Sequence, residues 1–352
     1  MKKHNFSAGP SILPRVVLEQ ASKAILNFNN LDLSLIEISH RSADFVAVME
    51  KAQQLTLNLL GLENKGYSVL FLQGGASLEF LMVPYNLMKE NGKAAYIDTG
   101  VWSSKAIKEA KLLGNVETVA SSKDKNYSYI PKNFSIPQDA EYVHCTSNNT
   151  IFGTQIKTFP KTDMPLVCDM SSDIFSRVLD FSQFDLIYAG AQKNMGPAGT
   201  TLVVVKDEIL GKTGRTIPSM LDYQVHINSE SMYNTPSVFA VYVSMLTLQW
   251  LKDLGGLAAI EKMNNAKAKL LYDEIDTNPN FKGTAAIEDR SHMNVTFLIE
   301  DTEKAASFDK LCKEAGISGI KGHRSVGGYR ASIYNAMPLE SVQALVDIMK
   351  KI

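Results

Sequence analysis

The sequence predicts a two-domain α/β protein: a mostly parallel sheet covered by helices on both faces, with a smaller α+β domain after it. Three observations carry that expectation. Continuous apolar runs of strand length alternate with segments of helical spacing as far as Leu254. The pattern changes after Gly255-Gly256. A chain of 352 residues also exceeds what one hydrophobic core comfortably supports.

Ser68–Leu72, Lys93–Asp98, Tyr142–Cys145, Pro165–Asp169, Leu186–Gly190 and Thr201–Val205 read as buried strands. Runs that are apolar at successive positions have both faces covered, which is the signature of a parallel sheet between helical layers. Ala76–Met88 and Ser103–Leu113 show helical spacing. The strands 186–190 and 201–205 are joined by a loop without a helix, so an antiparallel pairing is open to them. A long helix, Ser237–Leu254, stops at Gly255-Gly256. Beyond it come a helix at Leu257–Asp276, a strand at Asn294–Ile299, a helix near Lys304–Ala315, a strand at Arg330–Tyr334 and a closing helix at Leu339–Lys350.

The bulk composition narrows the class of function. Apolar residues make up 45% and charged residues 21%, as in ordinary soluble proteins. A formal net charge of -1, without any Lys/Arg block, gives no field for nucleic acid or anionic membrane. No run approaches the roughly 18 apolar residues that span a bilayer. Met1–Ser7 carries a basic pair without the apolar core of a secretory signal. Cys145, Cys168 and Cys312 are far apart and odd in number, which argues against a disulfide framework and for a reducing, cytoplasmic setting. Neither G-x-G-x-x-G nor a P-loop is present, and no metal site is expected.

Lys193 is the leading candidate for chemistry. It follows the strand 186–190 in a loop rich in small residues, Ala189 to Gly199. A loop lysine is ordinarily a solvated charge. Small neighbours, however, let a bulky group approach the backbone. The carboxyl end of a parallel strand also faces the crevice where open α/β sheets bind ligands. Partial desolvation there makes the neutral amine accessible for carbonyl chemistry. Asp169 ends the strand 165–169, and both side chains reach one sheet edge if the two strands are neighbours. Alone, it reads as a capping residue entering a turn. Paired with a lysine, it matches a pyridoxal cofactor, whose ring nitrogen a carboxylate keeps protonated.

Gln73-Gly74-Gly75-Ala76-Ser77 joins a strand to a helix start. Free N–H groups at a helix N-terminus bind phosphate, and glycines permit close approach. Many strand–helix turns share such a pair of glycines, so the turn is informative only beside Asp169 and Lys193. Trp102, on a loop after the strand 93–98, can stack on a planar ring; core packing is the alternative.

Several segments go beyond these generic signals. Ser7-Ala8-Gly9-Pro10 with Leu13-Pro14, Glu37-Ile38-Ser39-His40-Arg41-Ser42, Gln73–Ser77, Gly190–Asn194, Asn234-Thr235-Pro236-Ser237 and Gly327–Ala336 resemble the phosphoserine aminotransferases of the class V aminotransferase family. The resemblance runs from residue 5 to the C-terminus. It implies the type I fold of pyridoxal-phosphate-dependent transferases, with a mostly parallel seven-stranded sheet in a large domain of residues 15–254. Residues 1–14 and 255–352 are then the smaller α+β domain, and the active sites lie at a homodimer interface.

By the same resemblance, Lys193 is the Schiff-base lysine and proton shuttle, Asp169 holds the pyridine nitrogen and Trp102 stacks on the ring. Ala76, Ser77 and Gln192 bind the cofactor phosphate, joined by Asn234 and Thr235 of the other subunit, and Thr150 contacts the cofactor. Arg330 clamps the substrate α-carboxylate, since a guanidinium matches a carboxylate bidentately. His40, Arg41, His323 and Arg324 receive the second anionic group, a phosphate or the side-chain carboxylate of glutamate.

Two departures stand out. Ala8 replaces a serine that contacts substrate in some members. Ala76-Ser77 replaces a Gly-Arg pair, exchanging an arginine contact for backbone and hydroxyl donors.

The implied reaction passes the amino group of glutamate to 3-phosphohydroxypyruvate, giving O-phosphoserine and 2-oxoglutarate in serine biosynthesis. A phosphorylated hydroxythreonine, linked to pyridoxine synthesis, is a further substrate within the family. Serine–pyruvate and alanine–glyoxylate aminotransferases are the nearest rivals, but neither needs a cation cluster for phosphate. A cysteine desulfurase needs a reactive cysteine on a mobile loop, whereas Cys312 sits in a helical pattern. A catalytically idle scaffold would not require Lys193, Asp169 and Arg330 together.

Overall fold

The computed structural model describes residues 2–352. In chain order, β1 (His4–Asn5), α1 (Arg15–Leu26) and α2 (Ala43–Leu60) come first. They are followed by β2 (Tyr67–Leu72), α3 (Gly75–Leu87), β3 (Lys93–Asp98), α4 (Val101–Ala110), β4 (Asn115–Ser121), β5 (Val143–Thr146), β6 (Leu166–Asp169), β7 (Leu186–Gly190) and β8 (Thr201–Lys206). Helices α5 (Tyr223–Asn228), α6 (Val238–Asp253) and α7 (Gly256–Thr277) lead to β9 (Lys282–Gly283) and β10 (Asn294–Leu298). The chain ends with α8 (Thr302–Glu314), β11 (Ile317–Ser318), β12 (Tyr329–Ser332) and α9 (Leu339–Met349).

The main sheet has seven strands in the order β2-β8-β7-β6-β5-β3-β4. Strands β7, β6, β5, β3 and β4 run parallel. Strand β8 runs antiparallel to both β7 and β2, so the helix-free connection after β7 does reverse the chain. Alternate strand residues serve opposite layers, as a period of two requires. Cys145, Cys168, Ile187 and Val204 pack with Phe45 and Met49 of α2 and Val241 of α6. Tyr96, Val167, Tyr188 and Val203 pack with Phe80 of α3, Ala106 of α4 and Tyr223 of α5.

A second core gathers Leu271 of α7, Val295 and Phe297 of β10, Phe308 of α8, Ala331 of β12 and Leu345 of α9, together with Phe6 from the N-terminal segment. That segment enters by a parallel pairing of β1 with β11. Cys312 is buried within α8, where burial pushes its thiol up to about 12. An inert packed cysteine is the result, as the helical spacing implied.

The structure departs from the sequence reading in several places. Helices α1, α2 and α5, strand β4 and the short strands β1, β9 and β11 were not anticipated. Strand β4 is the sheet edge, and none of its residues is buried, so it shows no apolar run. Helix α4 begins at Val101, which puts Trp102 in a helical first turn rather than on a loop. The reason is Ser103, whose Oγ accepts from the N–H groups of Thr99 and Gly100 at 2.9 Å each and donates to Asp98. That closes the turn directly over the end of β3.

Candidate active site

Strands β6 and β7 are parallel neighbours, with Asp169 registered opposite Tyr188. The condition placed on the Asp169–Lys193 pairing is therefore met, because Lys193 follows the end of β7 by three residues. Asp169 is 4% exposed. Its Oδ1 accepts from the N–H and the hydroxyl of Ser171, at 2.9 and 2.6 Å. Among the described residues, no side-chain hydrogen bond falls on Oδ2, which stays available to a ligand. Burial pushes the Asp169 carboxyl up, while the Ser171 hydrogen bonds and the nearby Lys193 charge pull it down.

Lys193 Nζ donates to Thr150 Oγ1 at 2.7 Å and lies 5.8 Å from the centroid of the Trp102 ring. Burial brings its amine down to about 8, against the opposing pull of Asp169. At neutral pH about a tenth of such an amine is uncharged and able to attack a carbonyl, far more than for an ordinary lysine. The initial rate at which protein stripped of cofactor regains its visible band on adding pyridoxal phosphate should therefore rise with pH up to about 8 and then level off. A rate independent of pH between 6 and 9 would show that the neutral lysine is not the attacking group.

Helix α3 opens at Gly74 with no acidic residue in its first turn and no side-chain cap, leaving its first N–H groups unclaimed. Ala76 and Ser77 occupy that turn. Gly74 has a φ of 99°, and an added Cβ would stand 2.5 Å from Leu78 Cδ2. Only glycine permits this approach of β2 to α3. The Gln192 side chain folds close to Gly190, where a Cβ would meet its Oε1 at 2.7 Å. The Trp102 Nε1 is buried without a partner. Unclaimed amides, an orphaned indole N–H, a half-bonded carboxylate and a partly neutral lysine fit a phosphorylated pyridine aldehyde.

Arg330, on β12, reaches over from the second core, its Nη1 donating to the Thr150 carbonyl at 3.3 Å. Its Nε is buried and unpartnered, so the guanidinium still has donors to offer. His323 and Arg324 lie in the loop before β12, and the charges of Arg330 and Arg324 add to desolvation in holding His323 below the usual imidazole range.

The other expected residues are not brought to this cluster within one chain. Arg41 lines a separate hollow with Val46, Ser229, Met232 and Tyr233. His40 keeps its Nε2 buried and unpaired. Asn234 lines a cleft with Gln73 and Gly74, and Gln73 Nε2 donates to the Thr235 carbonyl at 2.5 Å. Among the described residues no hydrogen bond or ion pair joins His40, Arg41, Asn234 or Thr235 to Lys193 or Arg330. A cavity of about 770 Å³ between Ile97, Phe134 and Phe159 contains none of the expected site residues.

Two positioning residues escaped the sequence reading. Ser171 fixes the Asp169 carboxylate. Ser11 donates its N–H to the Gln192 carbonyl at 2.9 Å and its hydroxyl to the Lys193 carbonyl, backing the lysine loop. A serine two residues after an aspartate is a usable signal for the first. Nothing local marks the second.

The profile of the family described as "Aminotransferase class-V" matches residues 3–345. A phosphoserine aminotransferase of Flavobacterium johnsoniae is 74% identical over 350 residues, covering 99% of this chain and 98% of that protein. The solved phosphoserine aminotransferase of Bacillus circulans subsp. alkalophilus superposes with a TM-score of 0.96 at 45% identity, covering 99% of this chain and 98% of the other. A phosphoserine aminotransferase of Trichomonas vaginalis, solved with pyridoxal phosphate bound, gives a TM-score of 0.94 at 37% identity, covering 99% of this chain and all of the other. With this match over nearly its whole length, the chain belongs to the class-V aminotransferase family.

Proposed function

We propose that the chain catalyses the phosphoserine aminotransferase reaction, exchanging the amino group between L-glutamate and 3-phosphohydroxypyruvate with pyridoxal 5'-phosphate as cofactor. The observation that carries this is the meeting of Lys193, Asp169 and Arg330, with the His323 imidazole and the Arg324 guanidinium in the loop beside Arg330. When bound, the cofactor supplies an aldehyde for the substrate amine and a ring that accepts the electron pair released at Cα.

The chain's own residues do the rest. Lys193 anchors the cofactor and takes the proton from the substrate Cα. Thr150 orients the Lys193 amine. Asp169 holds the proton on the ring nitrogen, and Trp102 covers the ring. The first turn of α3, with Ala76 and Ser77, and Gln192 receive the cofactor phosphate. Arg330 grips the α-carboxylate, while His323 and Arg324 take the distal anion.

His40, Arg41, Asn234 and Thr235 complete the site of a second copy in a homodimer. Their separation from Lys193 within one chain supports this. So does the run of exposed apolar side chains Val16, Leu18, Leu26, Leu31, Leu33 and Ile36 just before them. Residues 15–254 form the cofactor-binding domain, and residues 1–14 with 255–352 the smaller one. Free thiols at Cys145, Cys168 and Cys312 suit a cytoplasmic location, which fractionation of cells expressing the protein would check.

A visible spectrum of the protein reconstituted with pyridoxal phosphate tests the reading. A yellow band that shifts on adding glutamate, and again with O-phosphoserine in a fresh sample, is expected. Absence of the band, or no response to phosphoserine, sinks it. Sedimentation of the same sample should give twice the mass of the 38.8 kDa chain.

A further inference from the structure

We infer that Lys105 binds the distal anionic group of the substrate and favours the phosphorylated amino acid over glutamate. The inference rests on the reaction proposed above and adds a residue to it.

Lys105 follows Trp102 by three positions on α4, so the two share a helix face. Its Nζ lies 4.7 Å from the centroid of the Trp102 ring, the same ring that Lys193 Nζ approaches at 5.8 Å. Two amines therefore converge on one indole, one from the chemical centre and one from its rim. Among the described residues Lys105 has no acidic partner. Asp98, at the end of β3 just before that helix, is already engaged by Ser103, Ser104 and Tyr127.

Across the domain boundary the charge reaches His323. After desolvation and the charges of Arg330 and Arg324, Lys105 is a further cause of the low imidazole pKa. Lys105, Arg324 and Arg330 thus act on one imidazole, and among the described residues none of the three is in an ion pair. An anion held there relieves that repulsion. The gain scales with the charge of the anion, so a phosphate dianion profits more than a carboxylate. The plainer alternative is a solvated lysine whose stem merely covers the indole.

The holoenzyme distinguishes them. Lys105 is exposed, and neither Lys105→Gln nor Lys105→Arg disturbs the core. In Lys105→Gln the KM for O-phosphoserine should rise about tenfold, the effect of losing one charge-assisted contact. The KM for glutamate should rise only about threefold, since Coulomb attraction to a single charge is half that to a dianion. The kcat for both and the visible spectrum should be unchanged, and Lys105→Arg should recover most of the lost discrimination. Equal changes in both KM values, no change in either, or an altered cofactor band would each overturn the role. A wild-type protein that uses glutamate but not phosphoserine would instead refute the proposed reaction, before any variant is compared.

Discussion

Lys193→Ala should lower kcat by about 10⁴-fold or more, because in the proposed reaction the side chain is both the cofactor's anchor and the base at the substrate Cα. Neither Thr150 nor Arg330 can substitute for it. Thr150 is not a base at neutral pH, and a guanidinium is always protonated. The loss should not come from unfolding. An amine held down at about 8 stays neutral in the folded chain where an ordinary lysine is still charged. The unfolded chain therefore binds the extra proton between about pH 8 and the usual lysine range. Native stability rises with pH across that window, and at lower pH this lysine opposes folding. The variant should thus melt at the same or a higher temperature at pH 7, without a lysine-linked visible band. Full activity in the variant would remove Lys193 from the mechanism.

Asp169→Asn should lower kcat by about 10²–10³-fold, the range for losing a preorganised charge at a developing centre. The substitution is nearly isosteric. The amide oxygen can still accept from the Ser171 N–H and hydroxyl, so the end of β6 and the Asp169–Ser171 turn remain closed. What disappears is the negative charge that, in the proposed reaction, keeps a proton on the ring nitrogen. The same charge raises the Lys193 pKa, so the amine should become neutral at still lower pH, and cofactor uptake should tolerate the change. Single-turnover rates with O-phosphoserine, measured beside cofactor affinity, separate the two effects. A variant defective in cofactor uptake but normal in turnover would make Asp169 a structural residue.

These expectations were partly legible in the amino-acid sequence. Asp169 ends one continuous apolar strand and Lys193 closely follows another, and such strands announce a sheet edge. Their adjacency was conditional on strand order, which only the pairing of β6 with β7 supplies. The helix-free link after Gly190 announced the reversal at β8. Helix α2 was readable in principle, since Phe45, Val48, Met49, Ala52, Leu55 and Leu59 recur at helical intervals. Strand β4 was not, because an edge strand open to water needs no apolar run. Trp102 looked like a loop residue because the hydrogen bonds of Ser103 that start α4 early leave no periodic trace. Lys105 was hidden for a different reason: a lysine beside Trp102 is indistinguishable from a solvated charge until the opposing cations are placed. His40 and Asn234 were legible as types, but no hydrogen bond or ion pair joins them to Lys193 within one chain among the described residues.

The N-terminal segment gives the molecule an order of assembly. On the ribosome, the layers around the main sheet draw on residues up to Ile260 and can close while the rest of the chain is still being made. Phe6 and β1, synthesised first, have their partners in the last stretch, at β11 and around Ala331 and Leu345. Until those residues emerge, Ser11 lacks the tether that holds it beneath Gln192 and Lys193. A nascent chain can therefore close its main sheet before the lysine loop gains its backing from Ser11.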